Sequence, residues 1–170
     1  EGGMGEVFRA VDTRLGRAVA IKITQEQFSA RFQREARAIA SLNHPNICTV
    51  HDVGPNYLVM ELVEGETLAA RLKSGPLPTN TALLYASQIA AALAEAHAKD
   101  IVHRDLKPGN IMIARSGIKV LDFGLARSGQ DQTVTASRTV MGTPGYMAPE
   151  QREGKPADAR ADIYSFGCVL

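Results

Sequence analysis

The chain has little cysteine, no long apolar run and no excess of either charge, and each shortage excludes something. Its 2 Cys in 170 residues, Cys48 and Cys168, are too widely separated for a metal-binding spacing and cannot build a disulfide framework. They fit a reducing compartment, so a cytoplasmic location is expected. No stretch of about 18 apolar residues occurs, so no segment of this chain is expected to span a bilayer. Lys+Arg number 19 against 18 Asp+Glu, a formal net charge of +1. That balance argues against nucleic acid or an anionic membrane as the main partner, because phosphate surfaces call for a basic excess. Internal repeats and low-complexity tracts are also missing. What is present is a hydrophobic fraction of 45%, enough to bury a sizeable core and to exclude wholesale disorder. Both ends read as cut: Glu1 follows no signal peptide, and the apolar residues Ile163, Phe166, Val169 and Leu170, expected to be exposed, meet no stop signal.

The pattern divides the chain in two. Residues 7–11 and 18–23 read as strands joined by a turn at 13–17, after a glycine-rich tip. Residues 28–42 read as a helix, with Phe28, Phe32, Ala36 and Ile39 at helical spacing. His44-Pro45-Asn46 ends it, since proline disfavours helical backbone in the residue before it. Residues 47–53 and 57–62 read as a strand pair joined through Gly54-Pro55-Asn56. A short helix is then expected over 67–73, with Thr67 as N-cap and Gly75 just past its end. A long helix follows over 79–99, with Leu83, Leu84, Ile89, Leu93 and Ala96 as its buried stripe. Strands over 111–113 and 118–121 flank a Ser116-Gly117 turn, and residues 128–138 form a polar loop rich in Ser and Thr. The fold class is therefore α+β. A strand-rich region precedes a helical one, with a seam near residues 61–65, where a ligand cleft is expected.

The most specific signal is His103-Arg104-Asp105-Leu106-Lys107-Pro108-Gly109-Asn110, on a loop between the long helix and a strand. A carboxylate, an ammonium and an amide at i, i+2 and i+5 can converge on one point. The carboxylate can orient a hydroxyl and accept its proton, the ammonium can neutralise a transferring phosphoryl group, and the amide oxygen can ligate a hard metal ion. Asp122-Phe123-Gly124 follows a strand across a short hairpin from Asn110. By itself such a triplet is usually a turn, but this spacing can bring Asn110 and Asp122 to one metal site. Val19-Ala20-Ile21-Lys22 ends a strand. Alternation puts Ala20 and Lys22 on one face, where a small residue admits a flat ring and Lys22 reaches phosphates. Taken alone, Lys22 reads as a solvated strand end and Glu35 as a surface helical charge; together they read as an ion pair. The glycine-rich tip reads as the tail of a loop whose backbone N–H groups approach phosphates, and not as a dinucleotide fingerprint, because a strand follows it.

The set Gly2, Gly5, Lys22, Glu35, the 103–110 loop, Asp122-Phe123-Gly124 and Ala148-Pro149-Glu150, in this order, resembles the protein kinase family. Lys107, together with Gly142-Thr143-Pro144-Gly145-Tyr146-Met147, resembles its serine/threonine branch. The Gly2 to Val7 start and Pro149-Glu150-Gln151 are similar to bacterial kinases of the eukaryotic type. The resemblance implies a two-lobed fold and a partial kinase domain, with residues 1–62 as a β-rich N-lobe and hinge start and 63–170 as a truncated helical C-lobe. It implies that Gly2 and Gly5 cover the phosphates of ATP, and that Lys22, held by Glu35, contacts them. Met60 is then the gatekeeper, Glu61 and Val63 belong to the adenine-binding hinge, and Val7, Ala20 and Met112 enclose the adenine. Asp105 is the implied base, Lys107 the γ-phosphate contact, and Asn110 and Asp122 the Mg²⁺ ligands, with Thr143 orienting Asp105 and Lys107. The resemblance also implies that Ile39, Val50, His103 and Phe123 stack as a spine anchored by Asp162. Arg104 and Arg127 offer a pocket for a phosphate on Thr135, Ser137 or Thr139, a modification that two copies of the chain could perform on each other. Asp100 stands where relatives place Gly, and the interval between Lys22 and Glu35 is short for the family. The implied activity is transfer of the γ-phosphoryl group of ATP to Ser or Thr of protein substrates. The alternatives are a catalytically silent scaffold of the same fold and a small-molecule phosphotransferase.

Overall fold

The computed structural model describes residues 6–23, 29–123 and 144–170. Strands β1 (Glu6–Asp12), β2 (Arg17–Ile23), β3 (Val50–Val53) and β4 (Tyr57–Glu61) form an antiparallel sheet in the order β1-β2-β4-β3. A second antiparallel sheet, in the order β5-β6-β7, comprises β5 (Gly65–Thr67), β6 (Ile111–Ala114) and β7 (Gly117–Val120). Helices α1 (Ala30–Ala40), α2 (Leu68–Leu72), α3 (Thr79–His97), α4 (Pro149–Arg152) and α5 (Ala159–Val169) complete the architecture. The α+β reading, strand-rich first and helical after, is the observed one.

Local chemistry explains most boundaries. Ser29 and Thr67 cap α1 and α2 by accepting from the N–H groups of Phe32 and Ala70, which fills an orphan donor at each helix start. On α1, Phe32, Ala36 and Ile39 are buried at i, i+4 and i+7, the spacing of one helix face. Phe28 lies outside the described residues. The α1 helix stops at Ala40, short of Pro45, and the chain then runs along β7: Val120 N–H donates to Asn46 O, and Cys48 N–H to Val120 O. This stitch occupies residues expected to begin a strand, so β3 starts only at Val50. The three-residue β5 is too short to show a period and was not anticipated.

The expected stripe of α3 needs correction. Ile89, Leu93 and Ala96 are buried, with Ala92, but Leu83 and Leu84 are 64% and 55% exposed. At 3.6 residues per turn the Ile89 stripe runs back to Tyr85, not to Leu83 or Leu84, and Tyr85 does pack against the core. On α5, Ile163 and Leu170 are exposed as expected, whereas Phe166 and Val169 pack partly against the core.

The α3 helix ends in a Schellman motif. Asp100 N–H donates to His97 O and Ile101 N–H to Ala96 O, with Asp100 at φ 58°. Left-handed backbone strains an L-residue with a Cβ and costs glycine nothing sterically. Asp100→Gly is therefore expected to raise the unfolding free energy by about 0.5–1 kcal/mol in chemical denaturation, the relief of strain being partly offset by the looser unfolded chain.

Candidate active site

The loop after α3 is held from beneath by a carboxylate with no solvent contact. Asp162, in the first turn of α5, is 0% exposed. It accepts from the N–H groups of His103 and Arg104 at 2.8 Å each and from His97 Nε2 at 2.7 Å. Three donors offset the desolvation that an isolated buried carboxylate would suffer. His103 is equally buried and its tautomer is fixed. Leu121 O can only accept, so Nε2 carries the proton (2.8 Å), and Nδ1 accepts Asp105 N–H at 3.3 Å. Its ring lies 4.7 Å from that of Phe123, and Ile39, Val50, His103 and Phe123, the expected spine, are all buried.

On this base the 103–110 loop places its polar residues together. Lys107 Nζ donates to Asp105 Oδ2 at 2.7 Å, and Asn110 Nδ2 donates to the same oxygen at 3.1 Å and to Asp105 O at 2.8 Å. All the side-chain bonds of Asp105 among the described residues thus fall on Oδ2. The single 3-10 turn Pro108–Asn110 brings the Asn110 carbonyl to Leu121 N–H at 2.8 Å, one residue before Asp122. The Asn110 amide nitrogen is spent on Asp105, which leaves its amide oxygen, like the Asp122 carboxylate, as an oxygen a cation could take. These are hard oxygen ligands of the kind that suits Mg²⁺. Among the described residues no three His, Cys, Asp or Glu side chains form a metal cluster, so such an ion would need further ligands from phosphates or water. Arg104 and Asp122 adopt φ 67° and 54°, a left-handed backbone that persists in non-glycine residues only where the surroundings impose it.

The first sheet carries the opposite wall. Its register pairs Val7 with Lys22, Arg9 with Ala20 and Ala20 with Met60, so Val7, Ala20, Lys22 and Met60 share one face. Ala20 and Met60 are buried and Val7 is exposed. Val63 follows β4 and packs partly on the core, and Met112 lies on β6 opposite Lys119. Gly2, Gly5, Arg127, Thr135, Ser137, Thr139 and Thr143 lie outside the described residues.

Lys22 and Glu35, the expected pair, each approach a residue of the later part of the chain. Lys22 Nζ meets Asp122 Oδ2 at 3.0 Å, with the lysine side chain 11% exposed, and Glu35 lies 4.0 Å from the Arg104 guanidinium. A sequestered ammonium takes the nearest carboxylate, and the exit of β7 delivers Asp122 to it, while Glu35 on α1 approaches Arg104 of the 103–110 loop.

Two contacts were not read from the sequence. Lys119 Nζ meets Glu61 Oε2 at 2.8 Å, side chains 13% and 31% exposed, joining β7 to the end of β4. Glu61 Oε2 also accepts Thr49 N–H at 3.3 Å, and Glu61 N–H donates to Thr49 O at 2.9 Å. Gln151 bridges Ala148 N–H and Arg104 O. Alternation with buried Ile118 and Val120 marks Lys119 as the outward residue of β7, but nothing in the sequence names its partner. Nearby, burial pushes the Cys48 thiol up to about 12, so it stays protonated and poorly nucleophilic.

Two expectations follow. Lys119→Met leaves the Glu61 carboxylate part-buried with a weak backbone donor. It should lower the unfolding free energy by about 1–2 kcal/mol, the partial exposure of Glu61 limiting the loss. Burial holds the His103 imidazole below its ordinary pKa of 6.5, against the opposing pull of Asp162 and Leu121 O. A base with a depressed folded pKa binds fewer protons folded than unfolded. Its contribution is therefore whole above about pH 6.5 and is lost as the pH falls toward the lower folded value. Urea midpoints should decline over that window, with a shallower decline in His103→Gln.

Comparison with known proteins bears on the family and the fold. The protein kinase domain family matches residues 1–170. The chain is 48% identical over 185 residues to the serine/threonine-protein kinase PknA of Mycobacterium tuberculosis, covering 99% of this chain and 43% of that protein. It is 47% identical over 188 residues to the probable serine/threonine-protein kinase SCO3848 of Streptomyces coelicolor, covering 99% and 28%. The chain thus spans less than half the length of these relatives. The crystal structure of the M. tuberculosis PknI kinase domain superposes with a TM-score of 0.80 at 29% identity, over 99% of this chain and 66% of that one. Its β-rich and helical regions are therefore the N-lobe and part of the C-lobe of a two-lobed fold, and this chain belongs to the protein kinase domain family, of which it spans a part.

Proposed function

We propose that the domain transfers the γ-phosphoryl group of ATP to Ser or Thr hydroxyls of protein substrates, with Mg²⁺. The observation that carries this reading is the convergence of Lys107 and Asn110 on one oxygen of Asp105. With Oδ2 held by two donors, Oδ1 is left to accept the proton of an incoming hydroxyl. Lys107, at the same carboxylate, offsets charge on the group in transfer, a task that is almost wholly positioning and electrostatics. Mg²⁺, held by Asn110 and Asp122, neutralises phosphate charge when bound. Lys22 takes the α- and β-phosphates, exchanging its contact with Asp122 for them, and Glu35 supports it from α1.

The rest of the reading follows the same frame. Gly2 and Gly5 cover the phosphates. Met60 is the gatekeeper, Glu61 and Val63 present hinge backbone to adenine, and Val7, Ala20 and Met112 enclose the ring. The lobes divide between residues 62 and 63. Arg104 and Arg127 receive a phosphate on Thr135, Ser137 or Thr139, added by a second copy of the chain, and Thr143 orients Asp105 and Lys107. The sparse cysteine usage supports a cytoplasmic location for the domain. No described helix is long and apolar enough to cross a membrane. A silent scaffold is disfavoured by the presence of Lys22, Asp105, Asn110 and Asp122 together.

In the complete kinase domain carrying this sequence, Asp105→Asn should lower phosphoryl transfer to a generic basic protein by at least about 100-fold, with ATP binding retained. Equal radiolabel transfer by both forms would refute the enzymatic reading, and equal ATP binding without transfer by either would favour the scaffold.

A further inference from the structure

Arg104 occupies left-handed backbone at φ 67°, and the peptide group joining it to Asp105 is held at both polar ends by side chains. Asp105 N–H donates to His103 Nδ1 at 3.3 Å. The Arg104 carbonyl accepts from Gln151 Nε2 at 2.8 Å. On the other side of the residue, Arg104 N–H is taken by Asp162 Oδ1 at 2.8 Å. A strained non-glycine conformation costs free energy and persists only where its surroundings over-determine it, and three side chains do so here.

Gln151 belongs neither to this loop nor to α5. It stands at the third position of the single turn α4, is 5% exposed, and commits its other amide atom as well, Oε1 accepting Ala148 N–H at 3.1 Å. Each end of the side chain therefore grips a different segment: the catalytic loop at Arg104, and the Ala148-Pro149-Glu150 stretch. Two residues before that stretch the chain is independently fastened to α5, where Ser165 Oγ donates to Tyr146 O at 2.7 Å. Rotation of the 104–105 peptide would break the Gln151 bond and carry the Asp105 side chain with it.

We propose that Gln151 is a positioning residue for phosphoryl transfer, fixing the Arg104–Asp105 peptide and thereby the place of the Asp105 carboxylate, and tying that place to the segment at Ala148. This rests on the reading of Asp105 as the base. The role belongs to the neutral amide. A carboxylate would face the Arg104 carbonyl with acceptor against acceptor, whereas its protonated form again offers one donor and one acceptor. The charged groups along the network are Arg104 and Asp105 on the loop, Asp162 on α5, and Glu150 and Arg152 on the same turn as Gln151.

The test uses the complete kinase domain and compares wild type, Gln151→Glu, Gln151→Met and Asp105→Asn. Gln151→Glu should lower kcat by about tenfold or more near pH 8.5, with KM for ATP within about twofold of wild type. The deficit should shrink toward about pH 6, because burial raises a carboxyl pKa and protonation restores the donor. Gln151→Met should be slow at every pH and, without nucleotide, should show faster hydrogen exchange at the Ala148 amide. It also keeps the test open if the glutamate variant does not fold. Wild-type kcat in folded Gln151→Met, or a pH-independent deficit in Gln151→Glu, would overturn the proposal. If Asp105→Asn is inactive while both Gln151 variants turn over normally, only the role of Gln151 fails; if Asp105→Asn is fully active, the reading of Asp105 fails first.

Discussion

A carboxylate removed from water must find donors or lose its charge, and the fold around Asp162 is arranged to supply them. Two of its three partners are consecutive backbone N–H groups, at His103 and Arg104. This contact anchors the 103–110 loop to the start of α5 and holds Arg104 in a conformation that the chain would not adopt unaided. From there order passes along the loop. His103, buried and neutral, reaches Leu121 on one side and the Asp105 N–H on the other, so one residue fixes both the Asp105 backbone and the approach to Asp122.

Charge pairs span the space between the strand-rich and helical regions. Lys22 meets Asp122, Glu35 approaches Arg104, and Glu61 meets Lys119. Each joins a residue of the first sheet or α1 to one at or after the catalytic loop. Part-buried pairs of this kind contribute little net stability once desolvation is counted, but they specify geometry, since each wrong arrangement leaves a charge unpaired. Glu61 also fixes a strand end, its carboxylate accepting Thr49 N–H.

Much of the site was legible in the sequence because its chemistry is local. Asp105, Lys107 and Asn110 lie on one short loop, and a single turn of 3-10 helix suffices to bring them together. Strand alternation likewise placed Ala20 and Lys22 on one face, and α1 followed its own apolar spacing. On α3 the buried stripe leaves out Leu83 and Leu84 and takes Tyr85 instead, because the helical period, not apolar residue type, sets which face is covered. The partner of Lys22, the Lys119–Glu61 contact and the bridging amide of Gln151 left no trace in spacing, because their members are far apart in the chain.

The sequence by itself determined which groups can accept a proton, neutralise a phosphate or ligate a hard ion, and which short segments carry them, since residue type and local backbone preference need no distant contact. Tertiary structure alone decided which charge meets which, why Arg104 and Asp122 tolerate left-handed backbone, and how a buried amide ties the loop to the Ala148 segment. The physical reason is range: periodicity and turn chemistry act over a few residues, whereas ion pairing and desolvation depend on the surroundings that only the folded chain assembles.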